Sequence, residues 1–166
     1  MNTTTTGNRP SLAIYHANGR GTGCAAKFEL CPAKPEIEGY VLLTLANQCG
    51  VREIPAEKCC ATKFDWENAI AVKLCFPDLC AMLQVFRGET ESLTDGKGIF
   101  HRLPQAAVGL HLSHLIEPCN CYRLEAYRRV NDATDEARFG ILLMPSEALG
   151  LCLAIENSMG LIAFGE

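Results

Sequence analysis

Apolar and polar residues alternate along this chain with two distinct periods. Eight short stretches have strand character: 12–15, 24–31, 40–46 and 70–75 in the first half, and 98–102, 108–116, 121–130 and 137–143 in the second. In several of them the alternation has period two. Val108, Leu110 and Leu112, for example, interleave with Gly109, His111 and Ser113. One face of such a strand is buried and the other meets solvent or a ligand.

Each half then changes to a helical period. The run PDLCAMLQVFRG from Pro77 spaces Leu79, Met82, Leu83 and Phe86 as one helix face, with proline suited to the first turn and Gly88 to the stop. From Pro145 the run PSEALGLCLAIENSMG repeats the device, with Ser146 as candidate N-cap and Gly160 as candidate C-cap. The segment KLCFPDLCAMLQVF thus has a counterpart in GILLMPSEALGLCLAI: apolar strand, proline, acid, apolar helix. Four strands and a helix, twice over, predict an α+β chain with two four-stranded sheets. Short links between neighbouring strands make those sheets antiparallel, because parallel neighbours need long crossovers.

The second helix carries Leu149, Leu151, Cys152, Leu153 and Ile155, which do not fit on one narrow stripe. A helix apolar around much of its circumference is buried on more than one side. The second side is either another copy of the chain, in a closed homo-oligomer, or the chain's own sheets.

At 166 residues the length suits one domain, and 48% hydrophobic with 20% charged residues is the balance of a globular protein. Residues 1–10 read as a disordered, Thr-rich tail and 11–166 as the domain. Neither a signal peptide nor an uninterrupted membrane span is legible, so the expectation is a cytoplasmic protein whose ten cysteines are reduced thiols. Cys59, Cys60, Cys119 and Cys121 raise a zinc site, but C-C and C-x-C are poor forks for one ion, and no metal is assigned. The GRGTG run lacks the lysine-serine pair and helix of a nucleotide-binding loop. No set of nucleophile, base and orienting acid is legible either. The expectation is no enzyme, no catalytic residue and no cofactor.

A net charge of −4 does not advertise a nucleic-acid binder. The position of the charges changes the picture. Many acids, among them Glu36, Glu38, Glu89, Glu91 and Asp95, fall in loops or at segment ends, whereas Lys27, Lys73, Arg123, Arg129 and Arg138 take the polar parity of their strands, with Tyr127 among them. Cations interleaved with rings are what binding to single strands requires, since unpaired bases expose flat faces. Charged outward positions also simply keep a sheet soluble, and the pattern alone leaves both readings open.

The stretch KFDWENAIAVKLCFPDLCAMLQVFRGE contains Phe64, Asp65 and Trp66, an aromatic-Asp-Trp signature followed by a strand, a helix and a glycine stop. With Gly23, Ala25 and Ala26 in the earlier strand, GYVLLTLA after it, the pair Phe100 and His101, and the last apolar helix, the chain resembles the Whirly family of single-stranded DNA-binding proteins. More distantly it is similar to the trypanosome guide-RNA-binding proteins. The resemblance spans most of the chain. It implies two antiparallel four-stranded sheets packed crosswise, helices that join four subunits, and single-stranded nucleic acid running along the sheets with bases between aromatic and apolar side chains. Where the family reads KGKAAL this chain reads TGCAAK, with Cys24 at the second lysine position and Lys27 at the leucine. A glycine-rich insert, HANGRGTG, precedes that strand and brings Arg20.

The candidate nucleic-acid-binding residues are therefore Arg20, Lys27, Trp66, Lys73, Phe100, His101, Arg102, Arg123, Tyr127 and Arg129. Trp66 either stacks on a base or anchors its loop on the core. Phe100, His101 and Arg102 form an aromatic-basic cluster after a DGKG turn, while His114, on the core parity of its strand, reads as a hydrogen-bonded core histidine. The leading functional expectation is a single-stranded DNA or RNA binder with weak sequence preference, serving DNA maintenance or transcription as a homotetramer. The alternatives are an oligomeric scaffold that has lost nucleic-acid binding and a thiol- or metal-dependent regulator.

Overall fold

The computed structural model describes residues 9–51, 62–131 and 135–165. Strands β1 (Ser11–His16), β2 (Cys24–Cys31) and β3 (Tyr40–Val51) form an antiparallel meander. The long β3 pairs twice on its other edge, with β4 (Thr62–Phe64) at its far end and with β5 (Ile70–Leu74) along its first half. Helix α1 (Phe76–Phe86) and a short 3-10 turn at Leu93–Gly96 follow. Strands β6 (Ile99–Arg102), β7 (Ala106–Leu115), β8 (Cys121–Val130) and β9 (Glu136–Leu143) then make the second antiparallel sheet in sequential order, and helix α2 (Pro145–Phe164) closes the chain.

The four-plus-four reading holds, with one addition. β3 runs on beyond Ala46 to Val51 and gains β4 as a partner. The run Asn47–Gly50 has the composition of a turn, and pairing on both edges, with the start of β2 and with β4, keeps it extended.

Inward residues of both sheets share one core. Leu43, Leu45, Ile70, Val72 and Leu74 of the first sheet meet Leu110, Leu112, Leu124, Ile141 and Leu143 of the second, with Leu79, Met82 and Val85 of α1 and Ala148, Leu151 and Ile155 of α2. Each such leucine contributes about 1.5–3 kcal/mol by leaving water.

Both helices start by the same device. The residue before each carries an extended backbone, proline sits in the first turn, and the third helical residue is an acid whose carboxylate accepts the cap N–H. Cys75 N–H donates to Asp78 Oδ2 at 2.9 Å, and Met144 N–H to Glu147 Oε2 at 2.8 Å. The N-cap of α2 is thus Met144 and not Ser146, since Ser146 already lies inside the helix. Each acid also meets a histidine from the first strand of the other half: Glu147 Oε1 accepts from His16 Nε2 at 2.8 Å, and Asp78 Oδ2 lies 3.4 Å from His101 Nε2.

The candidate cap Gly160 lies inside α2, which continues to Phe164 and ends at Gly165, within the Gly160–Gly165 range that the resemblance implies. Gly165, with a positive φ, caps it there: Leu161 O accepts from Gly165 N–H at 3.0 Å and from Ala33 N–H of the β2–β3 connection at 2.9 Å. At 20 residues, with a mean hydropathy of 1.4 over its most apolar window, α2 is long and apolar enough to cross a membrane, contrary to the sequence expectation of no such span. One side of it packs into the shared core, while Leu149 and Leu153 stay 61% and 49% exposed on the other.

Candidate nucleic-acid interface

Because the inward faces of the sheets share the core, their outward faces point away from each other. On the first sheet, strand register places Tyr15 beside Ala25 and Ala25 beside Ala46. The next row outward is Ala13, Lys27, Thr44 and Ala71, and the next is Ser11, Glu29, Leu42 and Lys73. At one end three rings gather: Tyr15 and Phe64 have centroids 5.6 Å apart, and Phe64 and Trp66 6.4 Å. Tyr15 is 58% exposed and Trp66 39%. With Ala17, Cys49, Thr62 and Lys63 these rings line an open groove.

Trp66 is therefore neither sunk in the core nor isolated. Asp65 holds the segment that carries it: Asp65 N–H donates to Asn47 O at 2.9 Å, and the carboxylate accepts from the Asn68 side chain at 2.8 Å and from Asn68 N–H at 3.2 Å. Those hydrogen bonds from Asn68 hold the Asp65 carboxyl below its ordinary pKa. At the other end of the face, Lys73 Nζ sits 4.6 Å from the centroid of the Tyr40 ring. One carboxylate lies among these cations, Glu29, with its Oε1 3.1 Å from Lys27 Nζ.

The outward face of the second sheet is richer in arginine. Its rows are Arg102–Ala107–Arg129–Glu136, then Phe100–Gly109–Tyr127–Arg138, then His111–Glu125–Gly140, then Ser113–Arg123–Leu142. Tyr127 lies down across Gly109, where a Cβ would meet its ring carbons at 2.2–2.4 Å. The ring stacks against His111, with centroids 5.5 Å apart and planes at 27°, and faces the Arg138 guanidinium at 5.5 Å. Arg138 Nη2 donates to Glu136 Oε1 at 2.8 Å, and this hydrogen bond raises the guanidinium's already high pKa. Phe100, 48% exposed, borders this row.

The structure therefore divides the sequence candidates. Lys27, Lys73 and Trp66 share the first face, and Phe100, Arg102, Arg123, Tyr127 and Arg129 share the second. Arg20 is exposed in the turn between β1 and β2, whose Ala17 lines the groove of the three rings. His101 leaves the expected cluster with Phe100 and Arg102, because its position in β6 gives it the inward parity and sets it over the start of α1 against Asp78. His114 is a correction of the opposite kind. It keeps the inward parity but sits half-buried at the sheet end, stacked on Tyr122 at 4.4 Å and bonded to Asn120 Oδ1 at 2.8 Å.

Tyr15, Phe64 and Lys63 were not among the candidates. Outward parity marked Tyr15, but its join to Phe64 depends on the β3–β4 pairing. Cys59 and Cys60 lie outside the described residues. The eight described cysteines are free thiols, and burial pushes the Cys24 thiol up to about 11. Cys119 Sγ and Cys121 Sγ lie 2.7 Å apart at the β7–β8 turn.

No protein-family model and no curated protein matches the chain by sequence. Solved structures do match by shape. WHY1 from Arabidopsis thaliana superposes with a TM-score of 0.71 at 14% identity, covering 94% of this chain and 86% of that one. The plant transcriptional regulator PBF-2 gives 0.72 at 16% identity, over 95% and 84%. A guide-RNA-binding protein complex bound to a guide RNA gives 0.60 at 12% identity, over 91% and 90%.

The chain has the Whirly fold. The matches extend over most of the chain, so the two sheets and two helices all belong to the shared arrangement. At such low identity the shared property is the backbone arrangement, so the side chains on the two open faces have to be judged on their own chemistry.

Proposed function

We propose that this Whirly-fold chain binds single-stranded nucleic acid, DNA or RNA, along its open sheet faces, with weak sequence preference, in DNA maintenance or transcription. The observation that carries the reading is the exposed cluster of Tyr15, Phe64 and Trp66, which continues along the sheet into Lys27. Bases stack on rings irrespective of identity, at about 1–3 kcal/mol each, while cations follow the phosphates. The guide-RNA complex supports the same reading, as a backbone of this shape bound to a guide RNA. The two faces lie on opposite sides of one subunit, so a longer strand would pass between faces of neighbouring copies. The exposed Leu149 and Leu153 of α2 are the contact proposed to assemble those copies as a homotetramer.

A second reading, a scaffold on the same fold without affinity for nucleic acid, is favoured by Glu29 beside Lys27, Glu136 on Arg138 and the overall charge of −4. Fluorescence anisotropy of labelled oligo(dT) and oligo(U) at several salt concentrations separates the two. The binder loses affinity steeply as salt rises and loses it on W66A. Absence of binding at low salt, alongside an intact oligomer by light scattering, establishes the scaffold.

A further inference from the structure

Gln48 is the one buried polar side chain among the described residues, at 6% exposure, and all its hydrogen-bonding capacity is directed at the glycine-rich turn between β1 and β2 or at its own strand. Gln48 Oε1 accepts from Asn18 N–H at 3.0 Å and from Gly23 N–H at 3.1 Å. Gln48 Nε2 donates to Asn18 O at 2.9 Å and to Gly50 O at 3.5 Å. The glutamine thus clamps both ends of the turn. A side chain at position 23 would collide with this clamp, since a Cβ there would lie 2.5 Å from Gln48 Oε1 and 2.1 Å from His16 O.

Inside the turn, Asn18 completes the structure. Its Oδ1 accepts from Arg20 N–H at 3.0 Å and from Thr22 N–H at 3.1 Å, its Nδ2 donates to Thr22 Oγ1 at 3.0 Å, and its carbonyl accepts from Gly21 N–H at 3.3 Å. The amides of residues 18, 20, 21, 22 and 23 are therefore all engaged internally. A glycine-rich turn binds phosphate by pointing unused amides at it, and this turn has turned them inward. Apart from the Gly19 amide, the means this turn has of meeting an anion is the Arg20 guanidinium. The turn adjoins the ring platform, as Ala17 lines the same groove as Tyr15, Phe64 and Trp66.

We propose that the Gln48–Asn18 clamp is a positioning device that holds Arg20 against the phosphate next to the base stacked on the Tyr15–Phe64–Trp66 platform. The inference rests on the single-strand reading above and deepens it. It names the contact that takes over, at this end of the sheet, where Cys24 stands at a strand position that the resemblance would fill with lysine. A guanidinium suits the role, since its planar fork of donors matches phosphate oxygens. Holding the backbone that carries it in advance lowers the ordering cost of binding.

The test is a double-mutant cycle on the full chain with labelled oligo(dT), read as the slope of log affinity against log salt. R20Q removes one phosphate contact and makes the slope shallower by about 0.7. Q48M changes no charge, yet is expected to make the same slope change, and R20Q/Q48M to be no worse than either alone. Because Q48M alters a buried site, N18A, at an exposed position outside the core, opens the same turn and is expected to behave likewise. A thermal melt checks that each variant is folded.

An unchanged slope in both Q48M and N18A, or losses that multiply in the double variant, overturns the clamp. W66A and K27Q keep the two readings apart. If they weaken binding while R20Q does not, only the clamp fails. If wild type does not bind at low salt, the single-strand reading itself fails.

Discussion

The position of the Tyr127 ring over Gly109 permits a prediction whose sign depends on the background in which it is measured. In G109A, the new Cβ would stand 2.2 Å from Tyr127 Cζ, whereas ordinary contact begins near 3.4 Å. The ring has to lift by more than an ångström and leave the His111 stack and the Arg138 guanidinium. An aromatic pair contributes about 0.5–1.5 kcal/mol and an exposed cation–π contact about 0.5–1 kcal/mol. Alanine in a strand recovers roughly 0.5–1 kcal/mol of backbone entropy relative to glycine. In the wild-type background the net effect of G109A is a loss of about 1 kcal/mol. In the Y127A background no ring obstructs the methyl group, and G109A is expected to stabilise by about 0.5 kcal/mol or more. Urea denaturation of wild type, G109A, Y127A and the double variant measures all four corners. A G109A effect of the same sign in both backgrounds would refute the geometry. On the proposed function, G109A also weakens oligonucleotide binding as Y127A does, because a lifted ring no longer presents its outward face.

Other expectations follow from single contacts. Burial alone would raise the Glu147 carboxyl, but the hydrogen bonds from His16 and Met144 N–H and the histidine's charge outweigh it and hold the carboxyl below its ordinary range. The folded state then binds fewer protons than the unfolded chain across that window, so wild type loses stability as pH falls through the carboxyl range and E147Q loses less. Parallel acid limbs in denaturation series would contradict this. L79A, at a fully buried position of α1, is expected to cost about 2–5 kcal/mol by chemical denaturation. Treatment with a low-molecular-weight disulfide is expected to join Cys119 to Cys121, whose sulfurs already lie 2.7 Å apart, with release of the reduced reagent thiol. Peptide mapping that found either cysteine bridged elsewhere would argue against that pairing.

Much of the candidate site was legible because period two fixes which side of a strand a residue takes. Lys27, Lys73, Arg123, Tyr127 and Arg129 were assigned outward on that ground, and all five are outward. The same rule applied to β6 would have separated His101 from Phe100 and Arg102. Grouping the three by adjacency along the chain overrode it. Parity identifies the side of a strand but not the neighbour across it, so the joining of Tyr15 on β1 to the Phe64 and Trp66 pair had no signature in sequence. Gln48 was equally silent, since a glutamine in a strand reads as an outward polar residue until a turn from elsewhere closes over it.

By itself the sequence determined eight of the nine described strands, the antiparallel order, the strand–proline–acid–helix pairing of the two halves and the outward parity of the strand cations. These depend on residues two to four apart, where backbone geometry alone sets the outcome. The tertiary structure decided that the two outward faces lie back to back, that the end of α2 meets Ala33 of the β2–β3 connection, and that Tyr15 shares one groove with Phe64 and Trp66. Those outcomes depend on register and packing between segments tens of residues apart, which local periodicity does not specify.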